Sequence, residues 1–371
     1  MLSGGTELVL SGATAISNTV AAGGNIYNSG VTIGTILSSG AGETVFGGAQ
    51  ASGTVVMSGA GLYTGGLTVG TVVSSGGAEI VSAGGIAIGT IVSSGGSETV
   101  LSGATAQDTL AQAGAAAVIN SGGTEIVGSG ATATNITLAN GAIENVSASG
   151  TAISTTVAFG GNVYDAGVTI GTILSSGAGE TVYGGAQASG TVVMSGAGLY
   201  TGGLTVGTVV SSGGEELVNA GGIAMGATVS SGGTEIVSSG ATAVSGVLSG
   251  GTELVLSGGT TINTTLLSGG VLLISSGGLE LVSGATVSGG TVSSGGTAAI
   301  QAGGVISGGT LLSGSTELVL SGGRVSGGTI SAGVSLIVSS GGIAQNTSAA
   351  TGAVAVISSG GTELVSAGTA T

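Results

Sequence analysis

A beat of nineteen residues runs through this chain. Glu79 to Glu98, Glu125 to Glu144 and Glu216 to Glu235 are each 19 apart. A period near 20 belongs to solenoids, in which each repeat packs only on its neighbours. Two half-units alternate. One reads S-G-G-x-E-x-V, as in Gly76-Gly77-Ala78-Glu79-Ile80-Val81, and the other T-x-[VL]-x-S-G, as in Thr90-Ile91-Val92-Ser93-Ser94-Gly95. Glu43 to Glu79 spans 36 residues, a double step in which Gly61-Leu62-Tyr63 replaces one glutamate half-unit.

The side chains say what each half-unit does. Two positions after every Glu except Glu215 stands Val, from Val9, Val45 and Val81 through Val319 to Val365, while the residues on either side of it vary. One fixed β-branched residue between variable neighbours marks a strand with one buried face. The second half-unit repeats this with Leu37, Val56, Val73, Val92, Leu138, Leu174, Val193, Val210 and Leu267. Gly-Gly and Ser-Gly supply corners with positive φ. The expected fold is all-β, a parallel β-helix or solenoid of ~19-residue repeats. Roughly 19 or 20 coils stacked ~4.8 Å apart would make a rod on the order of 90–100 Å long.

Composition removes the rivals. With 84 Gly, no Pro, no Trp and 2% aromatics, a large globular core is out of reach. A mean hydropathy of +0.69 does not suit a disordered chain. Proline-free, non-triplet glycine is not collagen, and no apolar run is long enough to span a bilayer.

Chemistry is restricted just as severely. The chain has no Cys and no His, hence no thiolate, no disulfide, no zinc site and no Ser-His-Asp triad. Without lysine there is no phosphate-loop Lys. Asp108 and Asp165 are the only aspartates and stand in no calcium-repeat frame. Glu215-Glu216 is the only adjacent acidic pair, and a solvated corner explains it better than a glycosidase dyad. No enzyme, cofactor or metal is expected. A formal charge of −15, with Arg324 the single base, disfavours nucleic acid and anionic membrane.

One domain is expected over 1–371, with an internal duplication: residues 20–96 recur at 157–233, differing by exchanges such as Asn28/Asp165, Phe46/Tyr183 and Ile88/Met225. Near 112–123 and 271–278 two glutamate-type half-units follow in direct succession, and over 335–357 the Glu is lost. These are the places for irregular coils or a shift of strand face. Met1-Leu2-Ser3 lacks signal-peptide character, and both ends fall inside a repeat, as expected of a stretch of something longer.

Glutamate sets a puzzle. In an unbroken strand it would share the buried face with the Val two positions on. An ionised carboxylate there costs several kcal/mol, and no bases are at hand to pair with it. The strand is therefore expected to begin after Glu, leaving most of the 14 glutamates wet. Thr35, Thr54, Thr71 and Thr90 stand two before a fixed Val or Leu, so they read as an inward ladder rather than an outward ice-binding array. Tyr27, Phe46, Tyr63, Tyr164, Tyr183 and Tyr200 hold variable positions, as contact points or caps of a local stack.

The segments S-G-G-T-E-[IL]-V and A-T-A-x-x-T-x-[VL], as at Ser121–Val127 and Ala131–Leu138, resemble the repeats of AIDA-type self-associating autotransporter adhesins along essentially the whole chain. The resemblance implies a right-handed β-helical passenger on the bacterial cell surface or outside the cell. It implies homotypic adhesion between cells, with a host-cell surface as a second partner. It also implies O-heptosylation of repeat serines by a dedicated glycosyltransferase. Ser38, Ser39, Ser74, Ser75, Ser93, Ser94, Ser175, Ser176, Ser211, Ser212, Ser230 and Ser231 are then the natural acceptors; otherwise they satisfy corner hydrogen bonds. The signal, autochaperone region and barrel of that family are not in this sequence. The competing functions are a passive spacer or stalk, and a solenoid that forms fibrils end to end through uncapped coils. For lateral association the carboxylates should repel, so salt or mild acid is expected to strengthen it.

Overall fold

The computed structural model describes residues 3–364, which form 58 short strands and no helix. The chain is a parallel β-solenoid. Each coil carries a long strand, a middle strand and a short strand, for instance Ala78–Val81, Ile86–Ile88 and Ile91–Val92. The next coil lies on it in register, with Ala78 opposite Ser97, Glu79 opposite Glu98 and Val81 opposite Val100. Side chains alternate in and out along each strand, so the long strand has its first and third residues outward and its second and fourth inward.

The coils group into two units, residues 3–181 with 186–189, and residues 182–185 with 190–364. Within each unit the fixed aliphatics stack as files in the interior. In the first unit Val20, Leu37, Val45, Val56, Val73 and Val81 are fully buried. In the second, Val210, Val218, Val237, Leu248, Val255 and Val282 are equally dry. Each such side chain is worth about 1.5–3 kcal/mol when buried, and the gain depends on the coils directly above and below. Leu267 is a correction: it is 50% exposed. Two threonines stand side by side there. Thr264 takes the inward corner position, so Leu266 rather than Leu267 turns toward the core.

Two kinds of corner close each coil. At Ser74-Ser75-Gly76-Gly77 the Gly77 N–H donates to the Ser74 carbonyl at 2.9 Å and Gly76 has φ 75°, a type II turn that calls for glycine at its third position. Between middle and short strands a single left-handed residue suffices. It is Gly at 70 and 89, and Asn at 135, 263 and 346, the side chain that best tolerates this region after glycine.

The order of faces changes twice. The middle strand Thr105–Gln107 is followed, 19 residues on, by the long strand Thr124–Val127, Ala106 pairing with Glu125. The long strand Ala116–Ile119 is followed by the shorter Ile136–Leu138. The same exchange joins Thr260–Ile262 to Leu279–Val282. One extra long segment moves every later segment on by one face without breaking parallel pairing. From 335 to 357 the long strands Ser335–Val338 and Val354–Ile357 pair in register.

The glutamates overturn the expectation drawn from their charge. Eleven of the 14 are buried, as is Asp165. Glu is the second residue of an unbroken long strand and points inward beside its Val. Of the remaining three, Glu215 is exposed, and Glu7 and Glu363 are half-buried. Val365 lies outside the described residues.

Candidate functional surfaces and the interior carboxyl file

The interior glutamates are met by the inward threonines. Thr35, Thr54, Thr71 and Thr90 are all buried, which makes them a structural ladder. The Thr68 hydroxyl donates to Glu79 Oε1 at 2.7 Å, and Thr90 donates to its Oε2 at 3.2 Å. In the second unit Thr205 does the same for Glu216 at 2.7 Å and Thr264 for Glu253 at 3.0 Å. The Asn28/Asp165 exchange keeps one contact: each side-chain oxygen accepts from the glycine N–H two residues on, Gly30 and Gly167.

Hydroxyls alone do not hold an anion here. Glu216, Glu235 and Glu253 follow one another in register, and both carboxyl oxygens of Glu235 lack a hydrogen-bond partner. Burial pushes the Glu98 carboxyl up to about 8, with the charge of Glu79 adding to it. Burial likewise brings Glu144 to about 8, against a partial pull downward from Thr155. Glu235 stands well above the ordinary range through burial and the flanking Glu253 and Glu216. Neutral carboxylic acids resolve the puzzle: the desolvation penalty that argued against burial falls on the charged form. A formal −15 therefore overstates the charge carried near neutrality.

The outer faces carry little charge as well. On the short strands Ile36, Val55, Val72, Ile91 and Leu110 stack in register with their side chains outward. Ile36, Ile91 and Leu110 are 38–39% exposed. Across the left-handed corner runs a parallel file of Ile33, Ser52, Val69 and Ile88. No charged residue interrupts either file. The second unit repeats the short-strand file with Val192, Val209, Thr228 and Val247. The variable positions flanking the fixed ones spell this strip in the sequence, where nothing shows that they align. Tyr27, Phe46, Tyr63, Tyr183 and Tyr200 are exposed, and Tyr27 also stacks on Phe46 with ring centres 6.4 Å apart.

Each of the six Ser-Ser corners is a turn of the Ser74–Gly77 kind. The first serine's carbonyl accepts from the residue three on, at 2.8–2.9 Å, and the glycine at the third position has φ between 75° and 79°. Ser38, Ser74, Ser93, Ser175, Ser211 and Ser230 are half-buried, whereas Ser39, Ser75, Ser94, Ser176, Ser212 and Ser231 are exposed. No constellation of three or more acidic, His or Cys ligands exists among the described residues, and no helix there is long and apolar enough to cross a membrane.

No family profile and no curated protein matches the chain. Among solved structures it is similar to a hyper-glycosylated fragment of TibA, glycosylated by TibC, at 25% identity and TM-score 0.32, covering 95% of this chain and 99% of that one. It is also similar to a mutant of the PL6 family alginate lyase AlyGC, at 7% identity and TM-score 0.26, covering 97% and 76%. A third is the periplasmic alginate epimerase AlgG, at 10% identity and TM-score 0.20, covering 82% and 77%.

Proposed function

We propose that this chain is an adhesive passenger segment, displayed outside the bacterial cell, that associates side by side with further copies of itself. The observation that carries this reading is the outward aliphatic strip, Ile36 to Leu110, flanked by Ile33 to Ile88 and free of charge. Contiguous exposed apolar surface of this kind marks interaction sites, and weak contacts repeated coil after coil add up. The strip is aliphatic but for Ser52, and most carboxyls point into the interior. Association should therefore depend on salt far less than the formal charge suggests.

Sedimentation of the purified chain tests the reading. Oligomers are expected at both low and high salt, and Ile36→Lys with Ile91→Lys should return the chain to monomers. Both residues are partly exposed, so folding is expected to survive. Cells displaying the segment should clump, and cells displaying the double variant should stay dispersed. A monomer at every concentration would instead support a passive spacer, and strictly end-to-end fibrils would support growth through open coils.

The acceptor reading narrows to the second serine of each pair: Ser39, Ser75, Ser94, Ser176, Ser212 and Ser231. These hydroxyls reach solvent at the second position of the turn, and the glycine of the next coil leaves room beside them. Ser75 faces Gly95 and Ser212 faces Gly232 in this way. Intact mass after co-expression with a heptosyltransferase is expected to rise in steps of one heptose, with one step lost for each of these serines replaced by Ala. Sugar found on Ser74 or Ser211 instead would refute the assignment.

A further inference from the structure

The aromatic residues make a surface distinct from the aliphatic strip. They stand outward along the long strands, whereas the strip belongs to the middle and short strands. In the first unit Tyr27, Thr44 and Tyr63 are the third residues of Asn25–Asn28, Gly42–Val45 and Gly61–Thr64, and they lie in register. Tyr27 and Tyr63 thus share one file, two coils or roughly 10 Å apart. Phe46, from the intervening coil, lies 17° from parallel to the Tyr27 ring. The three rings are 42–51% exposed.

Glycine sets how the tyrosines lie. A Cβ at Gly61 would have Cε2, Cζ and the hydroxyl of Tyr63 as its nearest neighbours, at 3.2–3.5 Å. The ring occupies the space of the missing side chain and lies across its strand instead of standing off it. Gly198 and Tyr200 repeat this in the second unit, at 3.2–3.3 Å. Polar groups border the first-unit rings: Asn25 is exposed beside Tyr27, and Thr44 is half-buried between the two tyrosines. The one charged residue of these three strands, Glu43, is buried.

We propose that this surface binds a neutral, β-1,4-linked hexopyranose chain laid along the coils over Tyr27 and Tyr63. The C–H face of a pyranose packs on an aromatic ring, and its belt of hydroxyls needs polar neighbours, here Asn25, Thr44 and the tyrosine hydroxyls. In an extended β-1,4 chain the ring faces alternate, so the repeat is two sugars long. That length matches the two-coil step of roughly 10 Å between the tyrosines. No base stands in these strands to pair with the carboxylate of an acidic sugar.

Calorimetric titration of the full chain with cellotetraose tests this. Binding is expected, and it should also change the tyrosine emission, which no tryptophan obscures. Maltotetraose, whose α-1,4 links curve it away from a straight file, should bind about tenfold more weakly. Tyr63→Ala with Tyr200→Ala should weaken cellotetraose by a similar factor, about the worth of one aromatic contact. Gly61→Val with Gly198→Val keeps every ring but displaces two of them, and should weaken binding likewise with an unchanged far-ultraviolet dichroism spectrum. Ile36→Lys with Ile91→Lys should leave cellotetraose binding intact, which separates this surface from lateral association. Absence of cellotetraose binding, equal affinity for maltotetraose, or undiminished binding in the tyrosine or glycine variants would each overturn the proposal.

Discussion

Between about pH 5 and pH 8 the protein is expected to lose stability steadily. The folded chain keeps protons on carboxyls that the unfolded chain, with ordinary values near 4.5, has already released. Burial holds Glu98, Glu144 and Glu280 at about 8 and Glu317 at about 7. Folded values above unfolded ones mean that stability is fully present below about 4.5. It falls as pH rises and levels off once the folded groups have themselves ionised. Each group contributes about 1.4 kcal/mol per pH unit within its window, so these four together give a slope of roughly 5 kcal/mol per unit. Over two or three units that is comparable to the net stability of an ordinary domain. Urea midpoints at pH 4.5, 6 and 8 would show it, and a flat or rising series would contradict a neutral interior. Glu235→Gln sharpens the test. The amide keeps the size of the side chain and cannot ionise, so the variant should raise the midpoint at pH 8 and flatten the slope by about 1.4 kcal/mol per unit.

Corner glycines should divide into two classes on substitution. Gly85 and its duplicate Gly222 have no unusual φ, but a Cβ there would run into the carbonyl oxygens of Thr64 and Thr201 in the preceding coil. Backbone cannot swing aside as a flexible side chain can. Gly85→Ala and Gly222→Ala are each expected to cost about 1–3 kcal/mol, the usual penalty for overpacking. Gly70 is the opposite case. It has φ 65° and open space within 4 Å of the point a Cβ would occupy, and asparagine fills the equivalent corner at 135 and 263. Gly70→Asn should therefore change stability by no more than about 0.5 kcal/mol. Chemical denaturation of both variants at pH 5, well below the values of about 8 at Glu98, Glu144 and Glu280, separates the two. Equal sensitivity at Gly70 and Gly85 would mean that conformation, not space, governs both.

The periodicity of the fixed valines makes the strands and their inward face legible, because alternation in a half-buried strand is a geometric necessity. Applied to Glu79, the same alternation points to the correct side of the strand, and only the cost of burying a charge argues against it. That cost assumes a carboxyl that stays ionised. Protonation state depends on neighbours a linear sequence does not show: Thr68 and Thr90 arrive from elsewhere in the coil stack, and Glu98 lies directly opposite. Leu267 fails for a humbler reason, since Thr264 and Thr265 offer two equally good registers until the corner at Asn263 fixes one. The outward strip is written plainly in Ile36, Val72 and Ile91. What a linear reading cannot supply is that strands 17 to 19 residues apart stack in register and merge these scattered residues into one surface.

The two changes of face order bear on how such a chain can grow. An extra long segment is absorbed as a one-third rotation, after which pairing resumes in parallel. Gene copies that misalign during recombination therefore need not exchange whole coils to leave a foldable product. Slippage by a fraction of a coil is survivable, which makes length an evolutionarily cheap variable for this architecture.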